Sequence, residues 1–292
     1  TQWCNDHGGI ESDLTVTRLG EHEYMVVTAA AAGTRDQAWL RKGCRGFDVT
    51  VTDLTDDMSM FAVMGPNSRG LLSQLTTTDL GDQAFPFGTA QHLELAGYEV
   101  LAMRMTYEGE LGWELYVATS DAPALNDRLF EVGAAHGLRY AGYHAMNSLR
   151  LEAGYRHWGH DITDQDTPIE AGLGFAVAWD KPSFRGRDAL LAQRDQPRTK
   201  RLIQFRVEDP EILVYHDEPI YRAGVLVGST SSGMWSYTQD RCLAIGYVHH
   251  EGGVDQDWLG AGQFEVQVGR RRVPLTPSIG SFYDPRNERV RM

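Results

Sequence analysis

The chain has 292 residues, 42% of them hydrophobic, and a formal net charge of −13. It is long enough to bury a substantial core in two domains and too acidic to neutralise a phosphate backbone, which excludes nucleic-acid binding. No apolar run approaches the ~20 residues needed to span a bilayer, the opening TQWCNDHGG lacks the apolar core of a secretory signal, and three scattered cysteines (Cys4, Cys44, Cys242) speak for a reducing, intracellular setting.

In chain order, the adjacent Gly8 and Gly9 open a loop that needs glycine backbone freedom and runs into an alternating strand. Ile10, Ser12, Leu14 and Val16 share its inner face, and Glu11, Asp13, Thr15 and Thr17 share the other. EYMVVT (23–28), FDVTVTDL (47–54) and MSMFAVMG (58–65) read as further strands, being rich in β-branched and aromatic residues. TRDQAWLRKG (34–43) reads as a helix, and a second helix opens at Pro66 in GPNSRGLLSQL. Residues 98–118 read as a β-hairpin around EGELG. Leu101, Met103, Met105 and Tyr107 share a face of its first strand. Trp113, Leu115 and Val117 share one face of the second, which turns Glu114 and Tyr116 to the other. Helices follow over 121–137 and 142–154, the latter stopped by Gly154. RDQPRTKR (194–201) is a linker. Beyond it, RLIQFRV, GVLVGST, LAIGYV and FEVQV are short strands of a small all-β domain.

Several chemistries lack their motifs. Gly65 and Gly70 have phosphate-loop spacing, but Leu71-Leu72 follow in place of Lys-Ser/Thr. No G-x-G-x-x-G follows a strand, so no Rossmann unit for FAD or NAD is expected. His157/His160 and His249-His250 belong to no metal-ligand set, and the cysteines sit in no nucleophile signature. What remains is carboxylates at strand ends beside aromatics: Asp13, Glu110 and Glu114, with Tyr107 and Trp113 near, and Arg150 on a helix. A flat heterocycle can stack on the rings while a carboxylate pairs with an amino-pyrimidine edge. A solvated hairpin has the same composition.

Four segments, NDHGGIESDLTV, YEGELGWELY, NSLRLEAGYRHWGHDIT and TPIEAGLGFAV, occur in the order and approximate spacing of one family. With them the chain resembles the tetrahydrofolate-binding aminomethyltransferases typified by the glycine cleavage T-protein. More closely, it is similar to the C-terminal folate-binding portion of dimethylglycine and sarcosine dehydrogenases. The resemblance implies an α+β fold: a three-lobed, cloverleaf folate-binding body over 1–180, a connecting helix and linker over 181–200, and a C-terminal β-barrel domain over 201–292. The family's leading segment before the glycine pair is expected to be missing, and an FAD-dependent oxidase domain or subunit is expected as a separate partner.

Carried over by residue, the resemblance makes Asp13 the catalytic acid facing the reactive end of tetrahydrofolate and Glu114 the partner of its pterin ring. Tyr107, Arg150 and Trp158 then line the same cavity. Two departures stand out: the family's paired acids become Ser12-Asp13, and its RDSLR becomes MNSLR, Met146 removing a charge. The implied reaction forms 5,10-methylenetetrahydrofolate from an iminium or formaldehyde-level carbon released by oxidative N-demethylation of dimethylglycine or sarcosine. The compartment is then the bacterial cytoplasm or the mitochondrial matrix. The alternatives are a free-standing aminomethyltransferase of the glycine cleavage type and a non-catalytic folate-binding module.

Overall fold

The structure, a computed structural model, describes all 292 residues. They form two compact units: Thr1–Leu40 with Asn147–Pro285, and Arg41–Met146 with Arg286–Met292. The fold is α+β, ending in a closed C-terminal barrel.

The chain enters through β1 (Gln2–Cys4), which pairs antiparallel with β2 (Ile10–Asp13). β3 (Thr15–Arg18) then pairs with β4 (Tyr24–Val27), and α1 spans Gly33–Gly43. The glycine pair between β1 and β2 is required by geometry. Gly8 has φ +82, and a Cβ on Gly9 would lie 1.9 Å from the Asp164 carbonyl oxygen, so the close approach is to the chain's own backbone. The inner face of the alternating stretch holds for Ile10, Ser12 and Leu14, which are buried, but Val16 is 43% exposed. Its strand pairs only with β4, in a two-stranded ribbon with no layer against that face.

The second unit is built on a four-stranded antiparallel sheet in the order β5 (Met58–Met64), β8 (Gly112–Ala118), β7 (Tyr98–Met103), β6 (Ala90–Leu95). The expected hairpin is β7 and β8, with Met103 opposite Glu114 and Leu101 opposite Tyr116. β7 ends at Met103, so Met105 and Tyr107 lie in the connecting loop. Trp113, Leu115 and Val117 enter the core with Phe85, Leu125 and Leu129, packed by α2 (Ser68–Leu72) and α3 (Ala122–Gly133). α2 starts two residues after Pro66. No strand forms over 47–54. Its hydrogen bonds are local turns, such as Phe47 N to Cys44 O at 3.1 Å, and Phe47 is 72% exposed. Alternation and β-propensity make a strand only when a neighbour supplies the ladder.

After α4 (Tyr143–Glu152) and α5 (Arg187–Arg194), the barrel is formed by β9 (Lys200–Val207), β10 (Pro219–Arg222), β11 (Val225–Ser236), β12 (Arg241–His249), β13 (Phe264–Val268) and β14 (Arg271–Ser278), with α6 (Gln256–Gly260) between β12 and β13. The order β10-β11-β12-β9-β14-β13 closes by pairing Ile220 with Val266. Along β9, Ile203, Phe205 and Val207 fill the barrel core, while Leu202 packs outside with Leu151 of α4. β10 and β14 escape a reading of propensities because they carry Pro219, Pro274 and Pro277. No helix is long and apolar enough to cross a membrane.

Candidate functional site

Asp13 is the last residue of β2 and half-buried. Its Oδ1 accepts from Gln2 Nε2 at 2.9 Å, across the β1–β2 ladder. Burial pushes its carboxyl above the ordinary aspartate value, against the opposing pull of the Gln2 amide and the Arg156 charge. A carboxylate held partly desolvated at a strand end is more basic than one in water, which suits it to take up a proton.

The three residues before Asp13 are each held by a side chain from elsewhere. Trp158 Nε1 donates to the Ile10 carbonyl at 3.0 Å. Arg35 donates to the Glu11 carbonyl and pairs with its carboxylate. Ser12 Oγ donates to Asp36 Oδ2 at 2.6 Å. The Arg35 guanidinium also lies over the Trp158 ring, 4.6 Å from its centroid. Trp158 therefore meets the Asp13 strand through its backbone, with a cation on its face.

Arg150 points into the protein. Its guanidinium pairs with buried Asp161 and donates to Tyr155 O at 3.1 Å and Ser232 Oγ at 2.8 Å. Asp161 in turn accepts from His157 N at 2.9 Å and Ser231 Oγ at 2.5 Å. This buried pair ties α4 and the segment carrying Trp158 to β11 of the barrel. Nearby, burial, the His160 ring and Arg150 lower His157's basicity.

In the second unit, Glu114 shares its strand face with Tyr116, whose hydroxyl donates to Glu114 Oε2 at 2.6 Å. Desolvation raises the Glu114 carboxyl, and the Glu108 charge raises it further against the Tyr116 hydrogen bond. Burial and the Glu114 charge together keep the Tyr116 phenol protonated, fixing it as the donor. Tyr107 sits in the β7–β8 loop, where Thr106 Oγ1 accepts from Glu108 N and Gly109 N, both at 3.1 Å, and Tyr107 N donates to Glu108 Oε2 at 3.1 Å. The Glu108 carboxylate thus accepts from the Tyr107 backbone while its charge acts on Glu114.

Of the five residues read from sequence, Asp13, Trp158 and Arg150 lie in the first unit, and Tyr107 and Glu114 in the second. Sequence reading missed Arg35, Asp36, Asp161 and Tyr116 as members of these clusters. Only Tyr116 carried a signal, sharing a strand face with Glu114. No group of three or more His, Cys, Asp or Glu side chains is arranged to hold a metal ion.

Residues 1–181 match the family model described as the GCVT N-terminal domain, and residues 200–284 match the glycine cleavage T-protein C-terminal barrel domain. The chain is 39% identical, over all its length and 35% of the relative's, to 4-methylaminobutanoate oxidase (formaldehyde-forming) of Paenarthrobacter nicotinovorans. It is 34% identical to the mitochondrial sarcosine dehydrogenase of Homo sapiens, over all its length and 34% of the relative's. The chain thus spans about a third of these two relatives. The crystal structure of aminomethyltransferase T from Bartonella henselae superposes with a TM-score of 0.81 at 26% identity, covering 94% of this chain and 73% of that one.

Proposed function

Because the chain belongs to the glycine cleavage T-protein family, we propose that it transfers a one-carbon unit to tetrahydrofolate, forming 5,10-methylenetetrahydrofolate. The carbon arrives at the formaldehyde level, as an iminium or formaldehyde, from oxidative N-demethylation of dimethylglycine, sarcosine or a like methylated amine. That oxidation belongs to a separate FAD-containing domain or subunit. The relatives' names support this reading: one is a 4-methylaminobutanoate oxidase (formaldehyde-forming) and another a sarcosine dehydrogenase.

The observation that carries the proposal is the half-buried carboxylate of Asp13, made more basic by burial and mounted at the end of a strand gripped residue by residue. Tetrahydrofolate supplies the two nitrogens that bond to the incoming carbon. Each nitrogen sheds its proton as its new bond forms; the amine of an iminium leaves with one of the two protons, and the oxygen of formaldehyde leaves with both, as water. Asp13, as carboxylate, stabilises the positive charge on the arriving carbon and accepts a proton from the attacking nitrogen. Glu114 pairs with the pterin's amino-pyrimidine edge. Its Oε2 is taken by Tyr116, so Oε1 receives the ligand N–H. Tyr107 offers a ring for stacking. Trp158 and Arg150 act by support, the first through the Ile10 carbonyl and the second through Asp161.

A second reading has one observation in its favour. The glycine cleavage system aminomethyltransferase T shares the fold over 94% of this chain, with a TM-score of 0.81. In that case the donor is an aminomethyl group on a carrier, and the roles of Asp13 and Glu114 are unchanged. Calorimetric titration with tetrahydrofolate tests the common part. Saturable binding with product formation above the uncatalysed rate of formaldehyde and tetrahydrofolate is expected. Binding without turnover from formaldehyde, iminium or aminomethyl donors would leave a folate-binding module, and no binding would end both readings.

A further inference from the structure

Asp13 can act only if its carboxylate points the right way, and β2 is too short to guarantee that by its ladder alone. The strand has four residues and one antiparallel neighbour, β1. The pairing is irregular as well: Gln2 opposes Asp13 and Trp3 opposes Ser12, but Cys4 opposes Ile10, so the ladder skips Glu11. Such a bulge bends a strand and re-aims its side chains. A slip of one residue would send Asp13 to the opposite face.

The grip on this irregular strand comes from two adjacent residues in the first turn of α1. Arg35 takes the skipped residue, donating to both the carbonyl and the carboxylate of Glu11. Asp36 takes the next, accepting from Ser12 Oγ at 2.6 Å. Asp36 is itself buried, and neither oxygen is idle. Oδ2 also accepts from Thr28 Oγ1 beyond β4, and Oδ1 accepts from Arg35 Nη1 at 3.2 Å. One helical turn thus holds two consecutive residues of β2, Glu11 at the bulge and buried Ser12. Arg35 rests on Trp158, whose indole holds Ile10, so three consecutive residues before Asp13 are fixed by three side chains.

We propose that Arg35 and Asp36 are positioning residues for Asp13, gripping Glu11 and Ser12, two consecutive residues of β2, and so fixing the direction of the carboxylate that follows. The inference rests on the assignment of Asp13 as the acid–base group. It gives a use to Ser12, the residue that stands where the family's first acid is expected: as a hydroxyl it donates to the buried carboxylate that a second acid would repel.

The test measures kcat and KM for tetrahydrofolate in Asp36→Ala, Asp36→Asn, Ser12→Ala and Asp13→Asn. Rates are taken per folate site titrated, so that a lower folded fraction does not count. Asp36→Ala is expected to lower kcat on the order of 10²-fold, the scale for misplacing a reacting group by about 1 Å, with KM for tetrahydrofolate unchanged. Asp36→Asn, which keeps one acceptor for Ser12, should recover much of that loss. If Asp36→Ala does not fold, Ser12→Ala decides. It deletes one hydroxyl and leaves Asp36 with Thr28 and Arg35, and a clear loss of kcat is expected. Wild-type kcat in folded Asp36→Ala, or in Ser12→Ala, overturns the positioning role while an impaired Asp13→Asn leaves the function standing. Wild-type kcat in Asp13→Asn itself removes the acid–base assignment and this inference with it.

Discussion

Asp13 and Glu114 are both half-buried carboxylates raised by desolvation, yet they are held in different ways. Glu114 is fixed locally. It lies inside a seven-residue strand paired on both sides, opposite Ala62 and Met103, and its partner Tyr116 is two residues away. Asp13 ends a four-residue strand with a bulge, and its surroundings come from residues 2, 35, 36 and 158. A sheet interior positions a side chain by register, whereas a short edge strand must be positioned by side chains. The first arrangement should tolerate distant changes, and the second should not.

The largest break in this contrast lies in the support of the first unit. Arg150 and Asp161 are 4% and 0% exposed and pair with each other. Removing one partner leaves a buried charge alone, so Arg150→Ala or Asp161→Ala should cost about 3–5 kcal/mol in urea unfolding. Replacing both by apolar residues should recover part of that loss. A single variant within experimental error of the parent would show that the pair is solvated.

Next in size is Gly9→Ala. The new Cβ would overlap the Asp164 carbonyl at 1.9 Å, so the β1–β2 turn must shift. About 1–3 kcal/mol of stability should be lost, as for other overpacked sites. An unchanged melting temperature would mean that the turn has room the geometry does not show.

In the second unit the expected effect is on ligand rather than fold. Glu114→Gln exchanges a charged acceptor for a neutral one and should weaken tetrahydrofolate binding by ~1–3 kcal/mol, the scale of hydrogen bonds to charged groups. Stability should hardly move, because the strand register does not depend on the carboxylate. An unchanged dissociation constant in calorimetry would return Glu114 to the role of a solvated hairpin acid.

The smallest effect concerns pH. Burial raises both carboxyls in the folded chain, so folding favours their protonated forms, and each group loses stability as pH rises from the unfolded carboxylate range through its folded value. At neutral pH, Asp13→Asn and Glu114→Gln should therefore be at least as stable as the parent. Any gain should shrink as pH falls below the ordinary carboxylate range, where both states of the parent are protonated. Melting curves at neutral and acid pH give the comparison, and a variant destabilised at neutral pH would mean that the carboxylates stabilise the fold.

What was legible in the sequence follows the same division. The turning of Glu114 and Tyr116 to one face was written in the alternation of GWELYVA, and the barrel announced itself through β9, β11, β12 and β13. Gly8 and Gly9 marked a loop that needs backbone freedom, though not that the Asp164 carbonyl is what Gly9 approaches. The grips of Arg35 and Asp36 on β2 span 24 residues each and leave no periodic trace. An acid in the first turn of α1 reads simply as a favourable match to the helix dipole. The strand expected over 47–54 failed for the reverse reason: its local pattern was right, but no neighbour supplied a ladder.

If the gripped carboxylate of Asp13 performs the proton transfer, Asp13→Asn removes that step alone, because the amide keeps the shape and can still accept from Gln2. The measurement is the rate of 5,10-methylenetetrahydrofolate formation at saturating tetrahydrofolate, beside the calorimetric dissociation constant. A loss of ~10²–10⁴ in rate, the range for a positioned acid–base group, with folate affinity nearly unchanged is the predicted result. Parental rate in the Asn variant would leave Asp13 an ordinary strand-end residue.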